Sequence, residues 1–414
     1  PLDQAYAMFA KGDFQSAGDL AALASEELER QRQASRQLLE QANLAHQEIQ
    51  TKQRDALTLV GQSRSAQGNY VDSVAAYRSA LDPLITAKQE HPLRWAGLQA
   101  DLGRALYNLA DFSEGAAILR HLEESIDRYH SALTIIDKET HPKSWTITQT
   151  HLTVALENQA RLSAGKKRLR LLNEVIAAYR LIQETVTHES SPEGWALIQN
   201  NLGIAFRLKA DSKIGVERLD LLANAIESYT LALQVQTQEA FPMEWAVTQN
   251  NLGSLLLQLA LENQGELQEQ FFLDAEEAML LSLKVYDLQT FPQDWSSSHF
   301  NLAILFRHRA TYSEGKARAD FMGQSALEIQ AVLKVRTREA EPAERALLQS
   351  DLAMTYGIQA QSCQGEERLQ ALQLGIDAIR MSLQVWTEAD APDRHQERIE
   401  WIDQQLAELN APEE

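Results

Sequence analysis

Cysteine is almost absent: Cys363 is the only one in 414 residues, so no internal disulfide can form, and the composition suits a reducing, cytoplasmic setting. Basic charge is scarce as well. The 38 lysines and arginines face 58 aspartates and glutamates, and the resulting net charge of −20 repels a phosphate backbone, which argues against nucleic acid as a partner. Although 44% of the chain is hydrophobic, no stretch approaches the roughly 18 uninterrupted apolar residues of a membrane-spanning helix. No basic-then-apolar signal segment opens it. The ten histidines include no His-x-x-x-His pair and no cysteine partner, so a zinc site lacks ligands. Glycines stand singly, without a phosphate-cradling loop, and no cofactor is expected. Cys363 lies in Gln-Ser-Cys-Gln-Gly365 with no histidine beside it to activate the thiol. These absences together point away from an enzyme.

What the sequence does have is a repeat. Pro92, Pro142, Pro192, Pro242, Pro292, Pro342 and Pro392 share one phase of a 50-residue period, which accounts for seven of the ten prolines. Glycines follow it at Gly115, Gly165, Gly215, Gly265, Gly315 and Gly365. Trp95, Trp145, Trp195, Trp245 and Trp295 each lie three residues after the phased proline, and a leucine lies ten after it from Leu102 to Leu352. In the unit that starts at Pro192, the residues Trp195, Ile198 or Gln199, Leu202, Ala205 and Phe206 fall on one face of a helix A that runs to about Ala210. Asp211 to Gly215 supply a turn. Leu219, Leu222, Ala225, Ile226, Tyr229, Leu233 and Val235 then predict a longer helix B reaching to the next proline. Proline suits the first turn of a helix, where an N–H would have no partner. Such a hairpin leaves apolar faces that only its neighbours can bury, so the tryptophans are expected in the core.

Four segments follow from this pattern: residues 1–53, a partial repeat and a long helix; 54–91, a shorter repeat; 92–391, six 50-residue repeats; and 392–414, a capping helix with a tail. Within the first, Lys11-Gly12-Asp13-Phe14 reads as a turn, and residues 20–60, free of proline and with no glycine but Gly61 beyond them, read as one long helix or two. In the last, Pro392 opens a helix whose Arg394, Glu397, Arg398, Glu400, Asp403, Gln404 and Glu408 form the polar face of a cap, ahead of a disordered Ala411–Glu414. Because the first turn calls for a preceding helix, any missing part is expected before Pro1 rather than after Glu414.

The runs Gly194-Trp-Ala-Leu-Ile-Gln-Asn-Asn-Leu-Gly203 and Glu244-Trp-Ala-Val-Thr-Gln-Asn-Asn-Leu-Gly253 resemble the tetratricopeptide repeat, with Leu202-Gly203, Phe206, Ala225, Tyr229 and Ala232 at its small and large core positions. The lengthened unit is similar to bacterial arrays joined to caspase-like proteases or other signalling domains. The resemblance covers residues 54–391 and implies an all-α fold: a right-handed α-solenoid of antiparallel helix pairs, about eight in number, with a concave groove lined by helix A. It further implies a scaffold that binds a peptide or a partner protein. Two other readings stand beside it: a regulatory array whose groove holds an effector domain of the same polypeptide, and a structural array that self-associates through the long helix at 20–60. Some units depart from the pattern. Arg345 replaces the tryptophan, His299-Phe300 replaces Gln-Asn, and Thr153, Ala303 and Ala353 replace the helix-A glycine.

Carried onto this sequence, the groove positions are Asn200, Asn201, Asn250, Asn251 and Asn301, flanked by Asp101, Thr150, His151 and Asp351. A ladder of amides can both donate to and accept from an extended peptide backbone, or it can tie neighbouring helices together. A clamp for acidic peptide tails would need several groove cations, and only Arg104, Arg207 and Arg307 lie near. The run Lys166-Lys-Arg-Leu-Arg170 opens a helix B, where cations oppose the dipole; it is either a docking patch for an acidic surface or a solvated turn.

Overall fold

The computed structural model describes residues 2–11, 13–82, 88–337, 341–385 and 392–409, which form sixteen α-helices and no strand. The chain divides into two compact units, Pro1–Leu171 and Leu172–Glu414, each a run of helical hairpins. In the first, α1 (Leu2–Ala10) packs on α2 (Phe14–Ala66), which packs on α3 (Tyr70–Ala80); α4 (Pro92–Asp111) follows, paired with α5 (Ala116–Leu133), and α6 (Pro142–Arg161) packs on α5. The helix α7 (Gly165–Gln183) begins in the first unit and ends in the second. There α8 (Pro192–Ala210) pairs with α9 (Gly215–Val235), α10 (Pro242–Glu262) with α11 (Gly265–Ser282), α12 (Pro292–Thr311) with α13 (Gly315–Val332), and α14 (Pro342–Gln361) with α15 (Gly365–Leu383). A last helix, α16 (Pro392–Leu409), lies against α15. This is an all-helical tandem-repeat fold of the solenoid class.

The phased residues set the helix ends. Each proline from Pro92 to Pro342 stands in the first turn of a helix A, as expected from its missing donor. At the opposite end of that helix the chain must reverse within a few residues, and Gly215 does so at φ +61°, in the left-handed region that side chains disfavour. Helix B is shorter than its periodicity suggests. It stops six or more residues before the next proline, because the residue before proline avoids helical geometry and a polar side chain captures the backbone first. The Asp137 carboxylate accepts from the N–H groups of Glu139 and Thr140 at 3.0 and 2.8 Å, and Asp287 does the same for Gln289 and Thr290, both at 2.9 Å.

Hairpins close on a small residue of helix A. A Cβ built on Gly103 would lie 2.9 Å from the Tyr129 ring, one on Gly203 would lie 2.6 Å from Tyr229, and one on Gly61 would lie 2.8 Å from Tyr77. Where helix A carries alanine, helix B carries isoleucine at the matching place: Ala303 shares a core cluster with Ile329, and Ala353 with Ile379. The two alanine departures thus go with a smaller partner, whereas Thr153 keeps the buried Tyr179 at the matching place. The tryptophans are less uniform than expected. Trp145 and Trp245 are 7% and 9% exposed, whereas Trp95, Trp195 and Trp295 are only half-buried. The open rings are covered by the side chain seven residues earlier where that residue is polar and long: Lys88 stands 4.4 Å from the Trp95 centroid, and His188 meets Trp195 edge-on at 5.1 Å.

The long segment near the start is one continuous 53-residue helix, so the division placed at 53/54 falls inside it. Asp13 caps it by accepting from the Ser16 N–H at 3.2 Å. Gly12 of the anticipated turn, Pro1, and the tail Ala411–Glu414 lie outside the described residues. The cap α16 differs from expectation at one place: Arg398 is buried, not part of a polar outer face, and donates to Ser350 Oγ and Ser382 Oγ at 2.8 and 2.7 Å. Asp393, Glu397, Glu400, Asp403 and Gln404 are exposed, while the side chains of Arg394 and Glu408 lie outside the described residues.

Candidate functional site

The asparagines of helices α8, α10 and α12 fall into two linked sets, both in the second unit. In the first set Asn200, only 4% exposed, accepts through Oδ1 from Asn251 Nδ2 at 3.1 Å and donates through Nδ2 to Asn201 Oδ1 at 3.2 Å. Thr248 Oγ1 lies 3.2 Å from the same Asn200 oxygen and 2.6 Å from Gln236 Oε1, so its single proton serves one of them at a time. In the second set Asn301 Nδ2 donates to Asn250 Oδ1 at 3.1 Å and to Ser254 Oγ at 3.4 Å. Asn200 is thus engaged through both its oxygen and its nitrogen and the other four amides through one, and every link but Asn200–Asn201 crosses from one repeat to the next.

The other side of each group is a different matter. Asn201, Asn250, Asn251 and Asn301 are partly exposed, and among the described residues Asn201 Nδ2, Asn250 Nδ2, Asn251 Oδ1 and Asn301 Oδ1 have no hydrogen-bond partner. Two donors and two acceptors are thus left open on the helices α8, α10 and α12, the A helices of three successive repeats. The engaged side fixes the direction of the open one, which lowers the entropy lost when a ligand binds. Asn200 belongs to the interior. Its replacement by alanine is expected to lower stability by about 1–3 kcal/mol, because Asn251 would keep a poorly paired amide; Asn201→Ala, measured in the same denaturant titration, should change the midpoint far less.

The arginines do not join this face as one set. Arg104 lies in the first unit, where its Nη2 donates to Asp101 Oδ1 at 3.0 Å. It also acts on Tyr77, whose hydroxyl burial pushes up to about 12, with the Asp101 charge adding to the shift. Arg307 works across a repeat, its charge partly offsetting the burial that raises the Asp351 carboxyl. Arg207 has a buried Nε with no partner among the described residues.

His151 takes the place in the first unit that Asn201, Asn251 and Asn301 hold in the second, and its ring lies 6.0 Å from Tyr129. Burial, and then the Arg104 charge, lower its pKa from the ordinary 6.5. The native state therefore resists a proton that the unfolded chain accepts, and stability should fall as pH drops below about 6.5. Thermal melts at pH 7.5 and 5.5 should show that fall reduced in His151→Asn; an equal fall in both proteins would remove His151 as the cause.

The sequence did not single out the interior polar pairs beneath the ladder. Thr248 with Gln236, and Ser298 with Ser282 at 2.9 Å, each join a helix A to the end of the preceding helix B. Their one signal was a small hydroxyl at the same repeat position on an otherwise apolar face. Arg345, in the tryptophan's place, donates through Nη1 to the carbonyls of Leu333, the C-cap of α13, and of Arg336, both at 2.6 Å. Lys167 pairs with Glu123 at 3.1 Å, so part of the basic run at 166–170 holds the first unit together.

Among the described residues no group of three or more His, Cys, Asp or Glu side chains could hold a metal ion, and no helix is long and apolar enough to cross a membrane. No protein-family model and no curated protein matches the chain. Among solved structures, a protein described as a circular tandem repeat protein with novel repeat topology and enhanced subunit contact surfaces is similar at 13% identity, covering 88% of this chain and 97% of its own, with a TM-score of 0.31.

Proposed function

We propose that this chain is a non-catalytic, tetratricopeptide-type interaction scaffold that holds an extended protein segment along the helix-A face of its second unit. The observation that carries this reading is the half-engaged asparagine ladder: donors and acceptors held in place by one repeat and left open on the next. An extended backbone offers alternating C=O and N–H groups and can satisfy both kinds without a particular side-chain sequence. The partner is taken as protein rather than nucleic acid or membrane, in keeping with the net charge of −20. Photo-crosslinking tests the location. With peptides selected from a random library, a crosslinker at Ile204 on α8 should capture the peptide, and one at the exposed Glu227 on α9 should not. Capture from Glu227 alone would place binding on helix B.

A further inference from the structure

In the second unit, Arg345 stands at the repeat position that carries tryptophan in the earlier units, and it lines an open cleft. Leu233 and Leu281 are among the side chains packed against the core cluster that Trp245 forms with Ala246 and Tyr286. One hundred residues later, two whole repeats, the matching residues are Leu333 and Met381, and both line this cleft of about 340 Å³ between α13, α14 and α15. That volume lies at the lower end of the range typical of small-ligand pockets. Arg345 does not fill the space, because its guanidinium is held by the carbonyls at the end of α13.

Three polar features bear on what would fit. Gln349 lines the cleft, is 4% exposed, and makes no hydrogen bond among the described residues, so a carboxamide is available to an incoming N–H or acceptor. Lys334 is exposed at the edge, its Nζ 6.0 Å from the centroid of the Trp295 ring, and it supplies a cation that has no ion pair among the described residues. Asp377 also lines the cleft, but Arg380 lies 3.6 Å from its carboxylate. Apolar walls shaped for an indole, a buried amide and a cation at the edge fit a planar aromatic ring that carries a carboxylate. We infer that this cleft is a binding site for a small aromatic carboxylate of indole size, the ring against Leu333, Leu352 and Met381 and the carboxylate at Lys334. It is a second site, separate from the asparagine face and independent of any protein partner.

The test is calorimetric titration of the full chain with indole-3-acetate and, in parallel, with neutral indole. The wild-type chain should bind indole-3-acetate saturably. Arg345→Trp, which restores the indole of the other repeats, should weaken that binding by at least about tenfold. Lys334→Gln, an exposed change that leaves the walls intact, should weaken indole-3-acetate severalfold and leave indole unchanged, and it decides the matter if Arg345→Trp fails to fold. The inference is overturned if the wild type shows no saturable binding, if neither substitution alters it, or if only a tryptophan-bearing peptide binds while the free acid does not. None of these outcomes bears on the asparagine face, whose own test uses different residues and ligands.

Discussion

Gly203→Ala should destabilise the second unit by about 1–3 kcal/mol, the usual cost of overfilling a packed contact. Taken alone, alanine is the better helix former by about 1 kcal/mol, so an unconstrained helix would gain. Here the added Cβ would meet three Tyr229 ring atoms at 2.6 to 2.9 Å, and that ring is fully buried and has no room to retreat. The repeats themselves show the remedy, since Ala303 faces Ile329 and Ala353 faces Ile379 in the same cluster. Against a Tyr229→Ile background, the same Gly203→Ala change should cost little or even stabilise. Urea titrations of the four proteins give the coupling directly. An equal loss in both backgrounds would mean that the glycine serves something other than the tyrosine contact.

Trp245→Ala should have the largest effect of any single change, about 3–5 kcal/mol, as for other large aromatics removed from a core. Its ring is 9% exposed and packs with Tyr286, Leu233, Met243 and Phe291. Trp95→Ala should cost clearly less, because that ring is half-buried, with the Lys88 ammonium 4.4 Å from its centroid. In a repeat array the loss is expected to be local, so hydrogen exchange should quicken first in α9 to α12. Similar costs at Trp95 and Trp245 would show that burial does not rank the ladder. Loss of peptide binding by Trp245→Ala with an unchanged melting curve would move that ring from core to binding face.

The repeat was legible because its punctuation is local. Proline at the first turn of helix A and glycine at φ near +60° act within a few residues, so their 50-residue phase gives the hairpins and their order directly. The end of helix B was not legible from apolar spacing, since Asp137 and Asp287 stop the chain through side-chain bonds that hydrophobic periodicity does not register. Tryptophan burial varied although the phase is strict, and part of the cover of Trp95 and Trp195 comes from the preceding unit, from Lys88 and His188 seven residues earlier. For the asparagines, sequence offered two readings, a tie or a binding face. The geometry gives each a share, with Asn200 turned inward and Asn201, Asn250, Asn251 and Asn301 each keeping one open group. Residue type could not divide them, because the division depends on which helix stands 50 residues away.

The most direct measurement of the scaffold reading is the affinity of library-selected peptides for the chain that carries Asn201→Ala, Asn250→Ala and Asn301→Ala together. Asn200 and Asn251, which hold the interior link, stay in place. Affinity should fall more than about tenfold, or about 1.4 kcal/mol, while the melting temperature stays close to that of the parent. Unchanged affinity in this triple variant would contradict the account, and the asparagines would then be ties between repeats and nothing more.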